Sequence, residues 1–246
     1  MIRPASLALV AFLGSIAGSA QAQNTQNVYR PTGTRIISQT EQADLQDGRR
    51  LLKLVGACVV GRFPAEAVAL LRTGNPEAVA YAEAGVRDQD TQSPIALAQC
   101  LHEALNGTQV TMTMRIPERN LRLTLAEAAY LRRHSAPLGL SADSPVVLAG
   151  RPVLIGSTPE QSTAMGQFAD CLVFHAPAEA DALLRGPTGG DSERDNARAL
   201  APAIGQCLAE GQEVNFTPAI LREYAADGLW ARSEAMQAAQ PSEETE

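Results

Sequence analysis

The stretch Cys58-Val-Val-Gly-Arg-Phe-Pro-Ala-Glu-Ala-Val-Ala-Leu-Leu-Arg72 returns further along the chain as Cys171-Leu-Val-Phe-His-Ala-Pro-Ala-Glu-Ala-Asp-Ala-Leu-Leu-Arg185, identical at ten of fifteen positions without a gap. Outward from it the match continues in order. Gln99-Cys100-Leu101 lies against Gln206-Cys207-Leu208, Leu121-Arg122 against Leu221-Arg222, and Tyr130-x-Arg132 against Trp230-x-Arg232. Four blocks in one order exceed what an Ala/Leu-rich chain produces by accident, and such self-similarity marks a chain built by repeating one structural unit. The sequence therefore predicts two homologous modules, residues 38–133 and 158–235, joined by a Pro-, Gly- and Ser-rich linker at 134–157.

Each module reads as helical. Leu51, Leu52, Val55, Cys58 and Val59 recur at the spacing of one helix face. Pro64 and Pro177 restart the chain as first-turn prolines, where a missing N–H costs nothing; Glu66 and Glu179, two residues on, meet the positive end of the helix dipole. Ala67, Leu70 and Leu71, repeated as Ala180, Leu183 and Leu184, form a buried stripe, with Gly74 and Gly186 as stops. In the first module the second cysteine has its own helix, capped at Ser93-Pro94 and ended at Asn106-Gly107. In the second module the matching helix follows Asp191-Ser192, is kinked or restarted at Pro202 and stops near Gly211. Thr111-Met-Thr-Met-Arg115 alternates as a short strand would, with Val214-Asn-Phe216 as its counterpart, and apolar triplets at 146–148 and 153–155 allow a hairpin in the linker. A last helix carries Tyr130 or Trp230, opened by a Thr124-x-x-Glu127 capping box in one module and by Thr217-Pro218 in the other. The predicted fold is mainly α: two tandem helical modules with short strands at most.

The amino terminus reads as an export signal over residues 1–22. Arg3 supplies its positive end, an apolar run follows over 7–17, and Ala20-Gln21-Ala22 has the small-x-small form that signal peptidase accepts. The run is interrupted by Gly14, Ser15 and Gly18 and is shorter than the roughly 20 apolar residues needed to span a bilayer. The predicted compartment is periplasmic or secreted, with polar ends (residues 23–37 and 236–246) expected to be disordered. No other stretch of the mature chain approaches spanning length.

An even number of cysteines in an oxidising compartment favours disulfides over free thiols. Four cysteines allow three pairings. The repeat selects one, because each module holds one early and one late cysteine: Cys58 with Cys100, and Cys171 with Cys207. Neither pair has C-x-x-C spacing, so a redox or zinc motif is disfavoured.

Chemistry is harder to find. The chain carries 27 acidic and 20 basic residues, a net charge of −7, with few aromatics, so it has no footprint for nucleic acid. Its three histidines, His102, His134 and His175, do not recur between modules; His102 falls against Ala209 and His175 against Arg62. No G-x-S-x-G elbow is present. Gly186-Pro-Thr-Gly-Gly-Asp191 lacks the G-K-[ST] ending of a phosphate loop, and Asp88-Gln-Asp90 is too short for a calcium loop. No cofactor or metal is expected. The polar residues shared by the modules are the candidates for any function: Glu66/Glu179, Arg72/Arg185, Gln99/Gln206, Arg122/Arg222 and Arg132/Arg232. Dipole complementation explains several of them. Buried Glu–Arg pairs that lock helices, or a ligand-binding patch, are the alternatives.

The paired C-x5-P-A-E-A-x-A-L-L-R and Q-C-L blocks, with the closing L-R…[YW]-x-R helix and the export signal, are similar to exported proteins of unknown function from alpha-type proteobacteria. The resemblance covers both modules and implies no activity. The expected function is non-enzymatic binding or envelope interaction, with an unknown protein or small molecule as partner. A small-molecule carrier with a cavity between helices, or a hydrolase gathering scattered groups such as Glu66 and Arg132 in a cleft, are the rivals.

Overall fold

Apolar residues at helical spacing carry the first helix, α1 (Leu45–Arg62), with Leu51, Val55, Val59 and Val60 buried along it. The computed structural model describes residues 45–73, 97–105, 116, 118–141, 143–147, 158–208 and 214–239. The predicted export signal, the amino-terminal segment 23–37, residues 75–86 (by which the first module is expected to exceed the second), the predicted Ser93-Pro94 cap and Asn106-Gly107 stop, the predicted strand at 111–115, the second half of the predicted linker hairpin and the tail from 240 onward lie outside the described residues.

After Phe63 the chain bends by 110° into α2 (Pro64–Arg72). α3 (Leu97–Ala104) and α4 (Glu118–Arg133) complete the first half. The second half comprises α5 (Pro159–His175), α6 (Pro177–Arg185), α7 (Gly190–Ala199), α8 (Ala201–Cys207) and α9 (Pro218–Ala238). The repeated Pro-Ala-Glu-Ala block has the same local structure in both places. Phe63 and Ala176 share a bent backbone (φ −130°, ψ 58° and φ −142°, ψ 59°), proline opens the helix, and the expected Ala-Leu-Leu stripe is buried. Each of those leucines contributes on the order of 1.5–3 kcal/mol by leaving water. The loop before α7 needs glycine: Gly189 and Gly190 both have positive φ (78° and 74°), which other residues adopt at a cost.

Both expected disulfides are present. Cys58–Cys100 ties α1 to α3 and Cys171–Cys207 ties α5 to α8, with Cα separations of 5.6 and 5.8 Å. No free cysteine remains. Among the described residues no single helix is long and apolar enough to cross a membrane.

Several local expectations are corrected. α4 starts at Glu118, so Thr124 does not open it; its hydroxyl instead donates to the Asn120 carbonyl inside the helix (2.7 Å). Residues 118–123 are good helix formers, and a capping box acts only where the preceding backbone is not helical. Val214–Phe216 is not a strand. Phe216 instead stacks on Phe168 (centroids 4.9 Å apart), with Tyr224 edge-on to both rings. No strand occurs among the described residues, the linker stretch 143–147 included. In the second half, α8 stops at Cys207 rather than near Gly211, having restarted at Pro202 as expected, while α9 continues past 235 to Ala238. Thr217 caps α9 as read, accepting from the Ile220 N–H.

The buried apolar residues form one cluster drawn from both halves. Within it α4 lies against α1, α9 lies against α5, and α4 and α9 pack on each other. The two long-helix pairs close at different heights. In the second half a Cβ on Gly228 would stand 2.5 Å from the Ala169 carbonyl oxygen; in the first half the close approach is one turn earlier, where Gly56 meets Thr124. Position 228 matches Ala128, so the first half lacks the glycine that lets α9 close onto α5.

Candidate functional site

Charge is concentrated where the two halves meet. Arg222, buried on α9, donates to both carboxylate oxygens of Glu127 on α4 (2.8 and 2.9 Å) and to the carbonyls of Leu184 and Gly186 at the end of α6 (2.7 and 3.1 Å). Lys53 of α1 reaches the same two carbonyls (2.6 and 2.7 Å) and lies 3.3 Å from Glu127. Burial pulls the Lys53 ammonium below its ordinary range, against the charge of Glu127. Glu193 in the first turn of α7 accepts from Arg49 and from the Gly189 N–H (2.8 Å). A pocket of about 150 Å³ opens over this junction, with Arg49, Lys53, Glu127 and Arg222 in its walls.

The matched residues on the other side follow the same plan. Arg122, wholly buried on α4, donates to the Thr73 hydroxyl and carbonyl at the end of α2 (2.9 and 2.8 Å). Its charge is supported by Asp227, buried on α9. The alignment that matches Arg122 with Arg222 also sets Glu127 against Asp227. Each arginine therefore caps the second helix of its own half and takes countercharge from the last helix of the other, Arg222 lying also 3.4 Å from Glu193 of α7. Arg72 and Arg185 behave alike. Arg72 donates to Glu234 (2.5 Å), and Arg185 donates to the carbonyl of His134, the position matched to Glu234 (2.7 Å). Tyr130 donates to Asp181 of α6 (2.7 Å), which also holds Arg185; burial and that bond push the phenol well above its ordinary range. Trp230, at the matched position, lies under the Arg133 guanidinium, 4.6 Å from its ring centre.

Arg132 and Arg232 part company. Arg232 is buried, donates to Asp170 (2.9 Å) and to the Pro145 carbonyl (3.3 Å), and lies over the Phe174 ring at 5.1 Å. Arg132 is exposed, and among the described residues no hydrogen bond or ion pair reaches it. It borders a second pocket, about 320 Å³, walled by Ala57, Ala128 and Leu131 beside Lys53, Thr124 and Glu127.

The remaining candidates are not drawn to a common point. Glu66 and Glu179 sit in the first turns of α2 and α6, as dipole complementation requires. Gln99 and Gln206 are exposed, Gln206 bonding only weakly within its own helix (3.5 Å to the Pro202 carbonyl). His175 lies with the sulfurs of Cys171 and Cys207 within 4.8 Å, but those sulfurs are joined and offer no thiolate to a metal. Reasoning from the repeat missed Lys53, Glu127, Asp227, Asp170, Asp181 and Glu193. Equal spacing from the matched arginines points to Glu127 and Asp227; the others occur in one half only.

Acid should weaken this junction. Burial alone would raise the Glu193 and Glu234 carboxyls, but Arg49 and the Gly189 N–H at the first, and Arg72 and Arg133 at the second, hold both below the ordinary 4.5. A lowered folded-state pKa means stability present above pH 4.5 and lost as pH falls through the folded value. Urea midpoints are expected to hold from pH 7 to about pH 5 and then drop, and Glu193→Gln should flatten the drop. An unchanged acid limb in that variant would remove Glu193 from the account.

No protein-family model matches the chain, and comparison with curated proteins and with solved structures gave no significant match.

Proposed function

We propose that this protein is an exported, non-enzymatic binding protein made of two duplicated, disulfide-stapled helical halves. The observation that carries the reading is the use to which the repeated charges are put: Arg72, Arg185, Arg122, Arg222 and Arg232 are engaged in helix caps and ion pairs between helices. Groups committed in this way hold the halves together rather than poise a reaction, and matched contacts running in both directions are what a duplicated unit packing on its twin produces. The two disulfides support an oxidising compartment.

Fractionation with intact-mass measurement tests the export half of the reading. The mature chain is expected to begin at Gln23, outside the cytoplasm, with four cysteines blocked to alkylation until reduced; cytoplasmic chain with free thiols overturns it. Native mass spectrometry of the gently purified protein tests the rest. Bare protein, or protein with a polypeptide partner, fits a binding protein, while a stoichiometric small molecule retained through purification would make it a carrier.

A further inference from the structure

We propose that the groove between α1 and α4 binds an extended peptide segment that presents a carboxylate to Arg132. This deepens the binding reading and rests on it for its biological sense. The second half holds the template. There the arginine of the last helix is neutralised by Asp170 on the first long helix, lies over Phe174, and is met by the irregular stretch at 145–147. Its guanidinium takes the Pro145 carbonyl, and the Val147 N–H points to Asp170 at 3.5 Å.

In the first half two of these fillings, the carboxylate and the aromatic ring, are absent by residue type. Ala57 stands where Asp170 stands, Gly61 where Phe174 stands, and a Cβ on Gly61 would meet no atom within 4 Å. Ala128 replaces the glycine that lets α9 close on α5. The result is the 320 Å³ groove with apolar walls at Ala57, Ala128 and Leu131 and an exposed guanidinium at its edge. The nearby cation Lys53 is already held by Glu127 and two carbonyls, so Arg132 is the charge left for an occupant. In the template the negative charge comes from the first long helix and only the carbonyl from the covering stretch. With alanine at position 57, the occupant has to bring both. A chain end supplies them together, and guanidinium binds a carboxylate through paired N–H donors.

The test uses the full chain, labelled with nitrogen-15, titrated with acetyl-Pro-Val-Val carrying a free carboxylate and with the same peptide as its carboxamide. Saturable shifts are expected at Ala57, Ala128 and Leu131, with the carboxylate binding about tenfold more tightly, the scale of one charge-assisted hydrogen bond. Arg132→Gln should bring the carboxylate down to the carboxamide's affinity while leaving the rest of the spectrum in place, because the side chain is exposed. Equal affinities in the native chain, shifts confined to other residues, or a preference that survives in Arg132→Gln would each overturn the proposal. Concentration-dependent shifts at the same residues without peptide would assign the groove to a second copy instead, and would also overturn it. Neither result alters what native mass spectrometry says about binding as the function.

Discussion

Replacing Arg232 by methionine is expected to destabilise the protein by about 3–5 kcal/mol, whereas Arg132→Met at the matched position should cost no more than about 0.5 kcal/mol. The two arginines occupy equivalent turns of α9 and α4 and differ in what surrounds them. Removing the first leaves Asp170, almost fully buried, with one long contact from the Val147 N–H and no cation among the described residues; a buried charge stripped of its partner carries its desolvation cost uncompensated. The stretch at 145–147 also loses the donor that holds the Pro145 carbonyl. Removing Arg132 strips nothing, since its head group already faces water. Urea denaturation with a common slope would measure both. The double variant Arg232→Met, Asp170→Asn should recover part of the loss, because neutralising the abandoned carboxylate removes the largest penalty. Equal losses at positions 132 and 232 would show that surrounding charge is not what separates them, and a loss that Asp170→Asn leaves unchanged would assign the effect of Arg232 to packing on Phe174.

How the site could be read from sequence depends on range. Proline, acidic first turn and apolar stripe act within a single helix, so α2 and α6 were legible residue by residue. The disulfides were legible for another reason: two occurrences of one ordered pair leave one pairing consistent with both. The Thr124-x-x-Glu127 motif misled because a four-residue pattern does not report whether the backbone before it is already helical. Its glutamate serves a contact 95 residues away, with Arg222. Asp170, Asp181 and Glu193 were hidden differently. They stand against Ala57, Val68 and the first half's unmatched segment, so a search for shared polar residues passes over them. Matched residues identify what both halves use in order to pack, and residues that differ between the halves escape a search of that kind. The Ala57 and Gly61 substitutions around Arg132 are such a difference.

Loss of either disulfide is expected to cost about 2–4 kcal/mol, and loss of both to leave the chain unfolded at 37 °C. The sequence separations of the bonded cysteines are 42 and 36 residues, so the chain-entropy contribution is nearly the same for both, about 4 kcal/mol as an upper value. What differs is the remaining hold on the tethered helix. α3 is eight residues long, and beyond Cys100 none of its side chains is fully buried; it keeps an ion pair between Glu103 and Arg62, both substantially exposed and worth little. α8 is seven residues long and buries Ala203, with Leu200 buried at its cap. Neither helix is long enough to hold its shape in water alone, so each depends on being pinned to the first long helix of its half. Cys58→Ala with Cys100→Ala, and Cys171→Ala with Cys207→Ala, should therefore lower the urea midpoint by similar amounts with little change in slope. Amide exchange should rise first in α3 or α8 respectively, before the long helices lose protection. Destabilisation below about 1 kcal/mol in either double variant would mean that apolar packing holds the short helix without the bond. Exchange rising evenly across α1, α4, α5 and α9 would mean that the bonds act on the unfolded chain alone, with no local share in keeping the short helices docked.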